Sequence, residues 1–264
     1  VLKKIMLSVL LALLWFQPSC VNSNANDIHS EKEIITFVTK QYPSLASPEA
    51  LKKFLSKTTA SLPNESKEIV NNVFIANKTA SETDVLNATS TRFFSNAVVT
   101  AKKLKRQDLE LWATTQYAFY LYTYRKYEES FPLFMSSIHI LDEIEADEII
   151  SPAETYKKIG FFLMTVEDYP KSDEFLLKAK QYAEPNSSEL AAITDNLGIN
   201  SISQNNLVKA ETYFREAQLI AKRAKDELRS AKILGNIATV KFKQKQYQQA
   251  IDLLKQDIAI SLHV

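Results

Sequence analysis

Small and large apolar positions recur in a fixed order along residues 111–264. When blocks beginning at Leu111, Ala153, Ala191 and Ala231 are laid in register, the eighth position reads Ala118, Gly160, Gly198 and Ala238. The twentieth reads Ser130, Ser172, Ala210 and Ala250. Large apolar residues stand beside them: Tyr117, Ile159, Leu197 and Ile237 at the seventh position, Tyr127, Tyr169, Leu207 and Tyr247 at the seventeenth, and Phe134, Leu176, Phe214 and Leu254 at the twenty-fourth. Two antiparallel helices need such an order when their axes approach closely at small residues and large ones fill the space around the crossing. Residues 111–264 therefore read as a stack of helical hairpins, with units at 111–152, 153–190, 191–230 and 231–264. Strand-like alternation is hard to find, only three glycines occur in 264 residues, and Ala, Leu, Lys, Glu and Gln dominate the repeats, so the class is all-α.

The order resembles the tetratricopeptide repeat (TPR), with its period of about 34 residues and its small residues at positions eight and twenty. The twenty-seventh position, small in that family, is Ser137, Ala179 and Ala217 but Asp257 in the last unit. The resemblance implies a TPR-like α-solenoid, a right-handed superhelical stack of antiparallel helix pairs. The spacing departs from the family: the small residue at position twenty recurs after 42, 38 and 40 residues. The simplest expectation is a longer second helix in each pair, as in the run from Ala210 to Ala231, which has no Gly or Pro to stop it.

Both ends of the chain carry further patterns. Lys3 and Lys4 precede an apolar run from Ile5 to Phe16, then Gln17-Pro18-Ser19-Cys20 and a polar stretch. This is the layout of a secretory signal peptide over residues 1–20, too short to span a bilayer comfortably. Cys20, the only cysteine, sits where a bacterial lipoprotein is cleaved and acylated, although Pro18 and Gln17 depart from the usual lipobox. Cleavage after Ala25 is the competing expectation and leaves a soluble periplasmic or secreted chain. Residues 21–30 read as a tether and 31–108 as an irregular helical region, with 66–106 as a degenerate fifth repeat, since Phe94 lies 40 residues before Phe134. The sequence ends on an apolar "IAISLHV" without a polar capping helix. Two expectations follow: a fragment of a longer protein, which is favoured, or a dimer face on the last repeat.

Charge and chemistry narrow the function. A net charge of +1 gives no global pull on nucleic acid, and the basic cluster Lys102, Lys103, Lys105, Arg106 reads as a solvated helix face. His29, His139 and His263 are scattered with no zinc-ligand spacing, no Gly-rich phosphate loop or Gly-x-Ser-x-Gly elbow occurs, and the acids from Asp142 to Glu148 read as a solvated run at a helix end. The chain is read as non-enzymatic, without metal or cofactor.

The resemblance to TPR proteins implies a concave groove lined by the first helix of each unit. The family's groove positions fall on Trp112, Thr115, Phe119 and Tyr122, on Lys157, Phe161 and Met164, on Asp195, Ile199 and Ile202, and on Lys232 and Phe242. That strip is apolar and aromatic with charges at its margin, which suits an amphipathic helix or an extended apolar peptide. The family's carboxylate-gripping variant is matched at Lys157, Asn196 and Lys232 but not at Phe161 and Asn236, which removes much of the anion grip. The expected function is a peptide- or protein-binding scaffold in the bacterial cell envelope, periplasmic or lipid-anchored at the outer membrane. The alternative is the periplasmic sensory part of a membrane-bound transcriptional regulator whose membrane and DNA-binding segments lie beyond residue 264.

Overall fold

The computed structural model describes residues 64–81 and 84–262; the signal-like segment, Cys20, the tether and the rest of the chain before residue 64 lie outside them. Within the described residues the fold is ten α-helices without strands: α1 (Asn64–Ser81), α2 (Ala88–Lys103), α3 (Gln107–Thr123), α4 (Tyr127–Leu141), α5 (Pro152–Thr165), α6 (Tyr169–Tyr182), α7 (Ser188–Ser203), α8 (Leu207–Arg223), α9 (Glu227–Lys243) and α10 (Tyr247–Ser261). Each helix packs on the next, and α1, α3, α5, α7 and α9 also pack on one another in succession. The odd-numbered helices thus form a continuous inner layer and the even-numbered ones follow outside it, the arrangement of a TPR-like α-solenoid.

The small positions do what the pattern requires. A Cβ on Gly198 would lie 2.4 Å from the Phe214 ring, and one on Gly160 would lie 2.9 Å from Cγ of Leu176. Phe134, Leu176 and Phe214 are fully buried, and the Ser172 hydroxyl donates to the Gly160 carbonyl at 2.8 Å, which ties α6 to α5 where they approach most closely. The core runs along the stack as three successive clusters, as expected when each pair buries its apolar face against its neighbours.

With so few glycines, the hairpin turns place ordinary residues in the left-handed region: Arg125, Glu167, Asn205 and Lys245 close the four repeat hairpins with φ between 58° and 65°. At the first of these turns the Lys126 N–H returns to the Leu121 carbonyl and the Arg125 N–H to that of Tyr122, both at 2.9 Å, which satisfies the last carbonyls of α3. The next helices start on side-chain caps at Asp168, Ser187, Asn206 and Asp226.

The extra residues of the long repeats are not in longer second helices. The run from Ala210 to Ala231 breaks after Arg223, where Lys225 adopts φ 56° and Asp226 caps α9 by accepting from the Arg229 N–H at 2.9 Å. The longest spacing, from Ser130 to Ser172, is taken up by a connection after Leu141 that contains a short 3-10 turn at Ala146–Glu148 and a left-handed Ser151. The acids from Asp142 onward therefore lie in a connection, beyond the end of α4. At the other end, α10 buries Ala250 but leaves Leu254 44% exposed, and Ile251, Ile258 and Leu262 are exposed with it.

Candidate partner-binding groove

The inner layer brings most of the expected groove residues into one strip. Tyr122 of α3 meets Phe161 of α5 edge to face at 5.6 Å and lies 6.3 Å from Phe119, while its hydroxyl pairs with that of Thr165 at 2.8 Å. Phe119, Tyr122, Phe161, Met164, Ile199 and Ile202 are each partly buried, and Phe242 of α9 is 63% exposed. Ile199 and Ile202 rest one side against the core around α8 and α9 and leave the other side accessible.

Three expected groove residues do not face the groove: Trp112, Thr115 and Asp195, the last of which is buried and accepts from Asn236. Trp112 is fully buried in the first core cluster, because α1 and α2 cover the side of α3 on which it stands. Thr115 is also fully buried and donates to the Ser137 hydroxyl at 3.1 Å, linking α3 to α4. The helix pair α1 and α2 before residue 111 makes position two of the next unit an interior position.

The polar residues of the inner layer form a ladder that the sequence reading missed. The Lys158 ammonium donates to the Gln116 side-chain carbonyl at 2.6 Å, pairs with Glu154 at 3.1 Å and lies 4.8 Å over the Phe119 ring. Lys157 pairs with Glu154 on its own helix and with Glu189 of α7 at 3.1 Å. One rung further on, Asn236 of α9 donates to Asp195 of α7 at 2.8 Å. Glu154, Lys158, Glu189 and Asp195 are all buried, so these bonds join α3, α5, α7 and α9 beneath the strip and away from solvent. A hint was present in the sequence: Gln116 and Lys158 occupy the same sixth position of successive units, and Glu154 lies one helical turn before Lys158.

The environments of the two glutamates push them apart. Burial pushes Glu189 up to about 7, the Lys157 ammonium partly offsets this, and the facing Glu154 carboxylate adds to it. Burial also disfavours ionised Glu154, but Lys157 and Lys158 outweigh it and hold that carboxyl well below the usual range. When protonated, Glu189 donates to Glu154, so the two carboxyls share one proton. Burial likewise raises Asp195, opposed by the Asn236 hydrogen bond and by the fields of Arg229 and Lys232. With both Lys157 and Asn236 held by carboxylates, the arrangement for gripping a free carboxylate end is absent. Among the described residues no cluster of three or more His, Cys, Asp or Glu could hold a metal ion, and no helix is long and apolar enough to cross a membrane.

Residues 189–261 match the family model of the tetratricopeptide repeat. No curated protein matches the sequence. Among solved structures, BtubC (BKLC) from P. vanneervenii is similar with a TM-score of 0.62 and 13% identity over 88% of this chain and 91% of that one. The TPR-like repeats of a putative kinesin light chain from P. anserina give 0.61 and 14% over 75% and 96%. The apo form of the quorum sensor NprR from B. thuringiensis gives 0.50 and 13% over 87% and 83%. At these identities the structures speak for the fold alone. Residues 189–261 are thus tetratricopeptide repeats, set in a chain whose described helices fold as a TPR-like α-solenoid.

Proposed function

We propose that this chain is a non-enzymatic scaffold that binds a protein or peptide partner along the inner layer of its helices. The observation that carries the reading is the strip of partly exposed aromatic and aliphatic side chains running from Phe119 and Tyr122 through Phe161 and Met164 to Ile199 and Ile202. Large apolar side chains on a pre-formed concave layer, held in place from below by buried ion pairs, are what an apolar peptide face docks against. That NprR, a quorum sensor, has the same fold is in keeping with a recognition role.

The experiment is selection of peptides from a random library on the 264-residue chain, followed by their titration against Phe161→Glu combined with Ile199→Glu. The expected result is a loss of affinity of about tenfold or more with the helical circular dichroism unchanged, since two carboxylates would be placed in the apolar contact. Undiminished binding by the folded double variant would place the selected peptides elsewhere and remove the proposal. Unfolding of the double variant would show both side chains to be core and remove it as well.

A further inference from the structure

The charges that border the strip differ by sign in how they are disposed. The acids of the inner helices α5 and α7 that stand nearest the strip, Glu154, Glu189 and Asp195, are buried and paired with Lys157, Lys158 and Asn236. On α9, Lys232 and Lys243 are exposed and have no salt-bridge partner among the described residues. They are eleven residues apart, three helical turns, so they share one face of α9 with their backbone positions about 16 Å apart along it. Thr239 and the exposed ring of Phe242 stand on the same side. Asp257 of α10 is the carboxylate beside this face, next to Gly235; it accepts from Ser261 and forms a salt bridge with neither lysine.

We infer that the groove takes an acidic amphipathic helix, its apolar side on Phe161, Ile199 and Phe242 and its carboxylates on Lys232 and Lys243. This rests on the groove reading above and adds the chemistry of the partner. With the nearest acids of α5 and α7 buried, Lys232 and Lys243 leave this face of α9 with an excess of positive charge, and opposite charge on the occupant steers it in and fixes its register. A basic helix of the same apolar pattern would meet two ammonium groups on a face of α9 whose helix has Glu227 as its one acid, five residues before Lys232 and turned to another side.

The test uses two synthetic amphipathic helices with one Leu/Phe face, flanked in one by Glu and in the other by Lys, titrated onto the 264-residue chain by fluorescence anisotropy. The Glu peptide is expected to bind more tightly than the Lys peptide and to weaken as salt rises. Lys232→Glu with Lys243→Glu is expected to weaken the Glu peptide about tenfold and to improve the Lys peptide, because both sites are exposed and each reversal replaces an attraction by a repulsion. Tighter or equal binding of the Lys peptide overturns the inference and leaves the groove reading standing, as does a Glu peptide indifferent to the double reversal. Failure of both peptides to bind overturns the inference together with docking of a helix on this strip.

Discussion

Glu189 shows how a buried residue makes stability depend on pH. Its folded-state value is raised to about 7, mainly by burial, whereas the unfolded chain titrates near the ordinary carboxyl value of 4.5. The fold therefore favours the neutral form, and the stability contributed by this group is complete below about pH 4.5 and is lost as pH rises through about 7. Glu154 works in the opposite sense, but its window lies below the ordinary carboxyl value and does not overlap. Thermal unfolding between pH 5 and 8 should show a falling midpoint. Glu189→Gln, which keeps a donor toward Glu154, should flatten that slope and stabilise the protein at pH 8 by on the order of 1–3 kcal/mol. A variant with the unchanged slope would show that another group titrates. The position of this network was hard to read in advance. Lys157, Lys158 and Glu154 look like an ordinary solvated helix face until α3 and α7 close over them, and nothing local to residues 154–158 reports that closure.

Between elements, the small positions carried most of the information. Gly160, Gly198, Ser172 and Ala210 announce close crossings, and the crossings are where the repeat order puts them. The breaks between helices were less legible, because they depend on backbone conformation at residues with no strong turn preference. Lys225 is the clearest case: an exposed lysine at φ 56° ends α8 in a stretch rich in helix formers, and Asp226 then caps the next helix. Lys225→Gly should relieve the left-handed strain and raise the unfolding free energy by about 0.5–1 kcal/mol in a denaturant titration, whereas a continuous helix there would be weakened by the same change. Position twenty-one of the first three units shows a second rule. Phe131 meets Phe162 of the following helix with rings 5.5 Å apart, Asp173 accepts from Asn200 at 2.6 Å, and Glu211 accepts from Lys241 at 2.8 Å. Each second helix is thus matched in polarity to the helix that covers it, a pairing visible only once the order of the layers is known.

At the scale of the molecule, the pairs add their cores in succession and line the stack with one continuous layer of inner helices. Leu254 of α10 is exposed although its counterparts Phe134, Leu176 and Phe214 are fully buried, because each counterpart is covered by the next helix pair. The partly exposed strip of the inner layer was legible from the repeat positions at Phe119, Tyr122, Phe161, Met164, Ile199 and Ile202. It was misjudged at Trp112 and Thr115, where the helix pair of α1 and α2 and the Ser137 hydroxyl close the first position, and at Asp195, which is buried under Asn236 of α9. If partners dock on the inner layer, as proposed, two methionines separate that mode from docking on the outside. Met164 lies in the strip on α5, and Met135 lies exposed on α4, an outer helix. The most direct measurement is a titration of a selected peptide into the chain labelled at its methionine methyl carbons, followed by NMR. The Met164 resonance should move with the binding isotherm while Met135 stays in place. A moving Met135 with an unchanged Met164 would contradict it.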